Sequence, residues 1–63
     1  MYKNLENERK VKNLTINDMA KLISKTPATY YKKEIGNVAI TVKEAIIIAK
    51  FLNREIEFLF TEF

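Results

Sequence analysis

Cysteine, histidine and tryptophan are absent from this sequence, and its 63 residues include one glycine and one proline. Without cysteine or histidine there are no disulfide staples, thiolate zinc sites or imidazole ligands to hold so short a chain together. The same absences exclude a cysteine nucleophile, an imidazole base and a Ser-His-Asp triad, leaving carboxylates, lysines and tyrosines as the available chemistry. Glu55, Glu57 and Glu62 are acidic, but Glu55 and Glu57 stand two apart, off a common helix face, and read as solvated surface. No enzymatic activity, metal, cofactor or small-molecule ligand is expected. Long apolar runs are also lacking. The longest, Ala45-Ile46-Ile47-Ile48-Ala49, is far short of the ~18 to 20 residues that span a bilayer. Met1 to Glu6 turns charged before an apolar segment forms, so no secretory signal is expected, and the expected location is the cytoplasm.

What is present is charge and aliphatic bulk. Eleven Lys and Arg against eight Asp and Glu give +3. The length fits one domain, residues 1–63, and a fold of this size removes only roughly 60% of its unfolded surface from water, so its core must be well filled or shared with a second copy. The charges are unevenly spread: residues 1–33 hold eight cations against three carboxylates (+5), and residues 34–63 hold three against five (−2). If the first part turns its lysines to one side, it offers a positive face to a polyanion.

Apolar residues recur at helical spacing, with no repeat, linker or convincing strand, so the chain reads as all-α with four or five short helices. A first helix over about Tyr2 to Lys12 has Leu5 and Val11 as its main apolar residues and Asn13 as a left-handed stop. Thr15 caps a second, with Asp18 in its first turn and Met19, Ala20, Leu22 and Ile23 facing inward. Ser24-Lys25-Thr26 interrupts it. Thr26-Pro27, a hydroxyl cap before a proline at the first helical position, opens a third helix that runs to about Glu34 and ends at Gly36-Asn37. Thr41-Val42-Lys43-Glu44 is a capping box opening a fourth that stops at Asn53. A last turn or two, Arg54 to Phe60, carries Ile56, Leu59 and Phe60 on one face, with Phe63 one turn further on.

Two short helices joined by a few polar residues, the second opening Thr-Pro, are what a helix-turn-helix requires. Residues 15 to 36 resemble the phage repressor and Cro family, the xenobiotic-response-element (XRE) type of helix-turn-helix. Thr15 stands at the cap, Met19-Ala20 where the family has an apolar residue followed by Ala, and Thr26 before the recognition helix. Tyr30 stands at that helix's inward position, Glu34 and Gly36 at its close. Leu5 and Arg9 upstream, and Thr41 to Leu52 and Ile56 to Leu59 downstream, extend the likeness over nearly the whole chain. The resemblance implies a compact four- to five-helix bundle of the lambda-repressor type. It also implies a structural ion pair between Arg9 and Glu34, and a small transcriptional regulator, of phage or prophage kind, that binds double-stranded DNA.

On that reading the third helix enters the major groove. Pro27, Ala28, Thr29, Tyr31 and Lys32 stand at or beside the family's contact positions. Ala28 and the Thr29 methyl suit thymine methyls, the Thr29 hydroxyl a base edge or phosphate, and Lys32 guanine acceptors or phosphate. No Arg, Gln or Asn in this helix offers bidentate readout, so specificity leans on methyl contacts and DNA shape. Phosphate anchoring falls to Asn17, Lys25, Thr26, Lys33 and Asn37 around the helix N-termini. The sequence departs from the family at Ile16, often a phosphate-reaching Gln, in the weakly basic Asn37-Val38-Ala39, and at Lys33, usually apolar. Tyr30 falls on the inward stripe, whereas Tyr31, some 100° round the helix, points outward.

The fourth helix is apolar nearly all round: Ala45, Ile48, Ala49 and Leu52 form its inward stripe, and Ile47 and Phe51 lie off it. Phe58 and Phe63 add to this surplus; either Tyr2 or Phe63 covers Ile47 within one chain, or a two-fold homodimer through the fourth helix and the C-terminal turn buries the surplus, setting two recognition helices about 34 Å apart. The dimer is the expected state. A rival reading is a protein-interaction module on the same scaffold, antitoxin- or antirepressor-like, docking through Ile47, Phe51 and Phe58.

Overall fold

The structure, a computed structural model, describes residues 1–62; Phe63, expected in the partner surface, lies outside the described residues. Five helices follow one another: α1 (Lys3–Val11), α2 (Ile16–Leu22), α3 (Pro27–Glu34), α4 (Val42–Leu52) and α5 (Ile56–Leu59), with no strand among the described residues. The second helix packs on α3 and α4, and α5 closes the bundle against α1 and α4.

The helix starts follow hydroxyl chemistry. Thr15 and Asp18 form a reciprocal box, each side chain holding the other's amide at 3.0 and 2.9 Å. Thr41 and Glu44 do the same for α4, and the Thr26 hydroxyl receives the Thr29 amide above Pro27. Each box satisfies two amides that a helix start otherwise leaves open.

The helix ends share one geometry. Asn13, Ser24, Gly36 and Asn53 all take positive φ, between 57° and 88°. At each, the left-handed residue's amide reaches back three residues, Asn13 to Lys10, Ser24 to Lys21, Gly36 to Lys33 and Asn53 to Lys50. The following amide closes on the residue five back, Leu14 on Arg9, Lys25 on Ala20, Asn37 on Lys32 and Arg54 on Ala49. This paired bonding occupies carbonyls that a helix end otherwise leaves open. Only Gly36 has the conformational licence of glycine, and a Cβ there would also come within 3.4 Å of the Glu62 carboxylate.

The core comprises Leu5, Met19, Ala20, Ile23, Tyr30, Ile48, Ala49, Leu52 and Leu59. Ala20, at the α2–α3 contact, is almost fully enclosed, and a larger side chain would part the two helices. Of the two main apolar residues of α1, Leu5 is buried and Val11 is 75% exposed. Six residues on, it lies about 120° round the helix from Leu5, and Arg9, one turn from Leu5, takes the inward place. The last helix is shorter than the expected Arg54 to Phe60, because Glu55 stays extended as its cap. Tyr2 packs edge-on against Phe60, centroids 5.3 Å apart.

Arg9 is buried with Glu34. Its Nε donates to Glu34 Oε1 at 2.9 Å and its Nη1 to the Leu14 carbonyl at 3.0 Å, while the Tyr30 hydroxyl donates to the same carboxylate oxygen at 3.4 Å. One buried group thus ties α1, the α1–α2 turn and α3 together. Burial, reinforced by the Glu34 charge, pushes the Tyr30 phenol far above its usual value of 10.

Stability should fall at both ends of the pH scale. Glu6, Glu8 and Asp18 are held below their ordinary values by hydrogen bonds from Lys3, Lys12 and Thr15 respectively. At Glu44 burial pushes the carboxyl up, but the Lys33 and Thr41 hydrogen bonds outweigh it and the net shift is downward. Groups lowered on folding contribute fully above their unfolded values, 4.5 for Glu and 3.8 for Asp, and lose that contribution as pH falls through the lowered ones. Tyr30, raised on folding, contributes below pH 10 and loses that contribution above it. Melting temperatures measured across the scale should be level near neutrality and fall below about pH 4.5 and above about pH 10; a midpoint rising into acid would contradict these pairings.

Candidate nucleic-acid interface

The inward and outward sides of α3 are set by its register. Tyr30, Lys33 and Glu34, spaced three and four apart, face the core and are buried, whereas Ala28 and Lys32, one turn apart, are exposed on the other side. Pro27 and Tyr31 are exposed beside them, Tyr31 at 51%. Thr29 is half-buried at the edge of this face, and its hydroxyl oxygen accepts from the Thr26 hydroxyl at 2.9 Å. The Thr29 hydroxyl proton remains to donate to an anion or a base acceptor.

Around this face the expected anchors Asn17, Lys25, Thr26 and Asn37 are all exposed. Lys33 is not. It is 5% exposed, with its ammonium 2.8 Å from Glu44 Oε1 and 3.1 Å from the Ala39 carbonyl, so the expectation that it anchors a phosphate is overturned. Its Cα lies on the same side of α3 as Tyr30, and Glu44 supplies the charge that burial there demands. Ile16 is half-buried and packs against the core, which accounts for an aliphatic residue where a phosphate-reaching side chain was sought.

Charge pairing sorts the lysines. On α1, Lys3 and Lys10 pair with Glu6 at 3.2 and 3.3 Å, and Lys12 at its C-cap pairs with Glu8 at 2.9 Å. Among the described residues Lys21, Lys25, Lys32, Lys43 and Lys50 pair with no carboxylate. Lys25 in the turn after α2 and Lys43 in the first turn of α4 line one groove of about 480 Å³ with the Ser24 and Thr41 side chains. Lys43 and Lys21 were not singled out from the sequence. A lysine in the first turn of a helix opening beside the recognition turn was the available signal for Lys43. Lys50 sits apart, in a groove shared with Arg54 and Glu55.

This arrangement, an outward-facing short helix opened by Thr-Pro and flanked by unpaired lysines, has the form of a DNA reader. The helix-turn-helix family model matches residues 5–59. The chain belongs to the XRE-type helix-turn-helix family. No curated protein and no solved structure matches it significantly. As an XRE-type domain it is a DNA-binding regulator, and among the described residues no helix is long and apolar enough to cross a membrane.

The apolar surplus of this XRE-type domain is smaller than expected. Ile47 is half-buried, packed in part against the core and lining the groove that holds Lys25 and Lys43. Phe58 is 37% exposed, and the Arg54 guanidinium lies 3.9 Å from its ring centroid. Phe51, 53% exposed, and Ile46 and Val42 along α4 remain open. Tyr2, offered as a cover for Ile47, packs edge-on against Phe60.

Proposed function

We propose that this domain binds double-stranded DNA sequence-specifically as a small repressor of the Cro kind, with α3 in the major groove. The observation that carries this reading is the placement of charge. The lysines in and at the end of α1 are matched by carboxylates of the same helix, while Lys25 in the recognition turn, Lys43 across the groove from it, and the exposed Lys21 on α2 and Lys32 on α3 are unmatched. Ala28, the Thr29 methyl and Tyr31 meet base edges, Lys32 a guanine or a phosphate, and Asn17, Lys25, Thr26 and Asn37 the backbone. Occupying an operator suffices for repression, with the domain acting in the cytoplasm.

The proposed active state is a two-fold dimer. Phe51, with Ile56 and Phe58 near it in sequence, gives the exposed apolar surface that such a contact needs, and pairing would set two α3 helices on successive major grooves about 34 Å apart.

The reading is tested by selecting bound sites from random duplexes and measuring affinity against salt. The expected result is an inverted repeat, with Lys25→Ala and Lys32→Ala each reducing the log–log salt slope by about 0.9. Absence of any retained duplex at low salt refutes DNA binding, and recovery of single half-sites refutes the dimer.

A further inference from the structure

The loop between α3 and α4 has one apolar anchor, Ile40, half-buried against the core, whereas Asn37, Val38 and Ala39 are exposed. Polar contacts hold the rest of it at three points. Near its start the Lys32 carbonyl accepts the Asn37 and Val38 amides at 2.8 and 3.2 Å. In its middle the buried Lys33 ammonium donates to the Ala39 carbonyl, and at its end Glu44 Oε1 accepts both that ammonium and the Thr41 amide, the latter at 3.0 Å. One carboxylate oxygen therefore joins the last turn of α3, the loop and the cap of α4.

A lysine and a glutamate buried together give little net stability compared with apolar residues of the same size, because both must leave water. What they impose is direction: an ammonium whose partners are fixed admits one placement of loop and helix, where an aliphatic side chain would admit several. Two exposed polar residues depend on that placement. Asn37 follows the left-handed Gly36, and Lys43 stands in the α4 first turn opposite Lys25.

We propose that Lys33 and Glu44 are positioning residues of the DNA site. They hold the loop and the start of α4 so that Asn37 and Lys43 meet the phosphates beside the groove that α3 enters. The proposal rests on the DNA-binding reading above and assigns Lys33 no contact with DNA.

The test uses the full chain carrying Lys33→Met with Glu44→Gln. Met keeps the length and apolar stem, Gln keeps an acceptor for the Thr41 amide, and no buried charge is left alone. Thermal stability is expected to stay close to that of the unaltered chain, while the Asn37 and Val38 amides, both bonded to the Lys32 carbonyl, exchange at least about tenfold faster than before and those of α2 do not change. On duplexes selected by the unaltered chain, the double variant should lose affinity, and adding Lys43→Ala should cost much less than it does in the unaltered background, since Lys43 is already displaced. Full additivity with Lys43→Ala, or unchanged loop exchange, overturns the proposal. A native chain that holds no duplex refutes the DNA reading before any variant is made, and loop exchange then decides the positioning by itself.

Discussion

Glu34→Ala is expected to remove a large part of the domain's stability. The substitution strands the Arg9 guanidinium in the interior with only the Leu14 carbonyl, and takes from the Tyr30 hydroxyl its acceptor. Removing one partner of a buried ion pair costs about 3 to 5 kcal/mol. A chain of this length has roughly 3 to 9 kcal/mol in all. A urea titration followed by circular dichroism should show the transition shifted to very low denaturant or lost, whereas Glu34→Gln, which keeps acceptors for both donors, should retain a measurable one. Replacing the pair together, Arg9→Met with Glu34→Leu, should recover much of the loss, because no charge is then left alone in the core. A Glu34→Ala midpoint equal to that of the unaltered chain would show that Arg9 reaches water by some other route.

Leu59→Ala should come next, at about 2 to 5 kcal/mol. The last helix is four residues long, too short to persist by its own hydrogen bonds, and Leu59 is its one buried side chain. Around it, Phe60 at the helix C-cap packs half-buried against Tyr2, and the remaining ties are surface contacts: the Asn4 side chain to the Phe58 carbonyl at 2.9 Å, and, just before the helix, Arg54 to Glu8 at 2.6 Å. Exposed pairs of that kind contribute little. Truncating Leu59 should therefore release α5 from α1 and α4, seen as loss of amide protection at Leu59 and Phe60 ahead of the rest. Phe58→Ala, at the outer face of the same turn, should change the midpoint only slightly. Comparable losses for the two substitutions would mean that α5 is held from its outer side.

The bounds of α3 were legible because its start and end are written in local chemistry: Thr26 and Pro27 fix one, Gly36 the other. Thr41 and Glu44 marked α4 in the same way, and Asn53 its end. The Arg9–Glu34 geometry follows from the resemblance, since nothing in the spacing of two residues 25 apart announces a contact. Lys33 was misjudged although its position carried the information. It follows Tyr30 by three, on the inward side, and a lysine there needs a carboxylate from another helix. Glu44 read as fully used in capping, yet one carboxylate oxygen serves both tasks. Ser24 shows the opposite limit: a polar residue in a polar turn gives no hint that its φ will be positive.

The four left-handed corners bear on the state that competes with the fold. Glycine would adopt those angles freely, but it also enlarges the ensemble of the disordered chain. Asn13, Ser24 and Asn53 restrict that ensemble and return part of the advantage as local strain, least for asparagine, which tolerates the left-handed region. With a single glycine in the chain, comparatively little backbone disorder is surrendered at the corners when the helices assemble. A core this small is thus helped by how few shapes its denatured chain can explore.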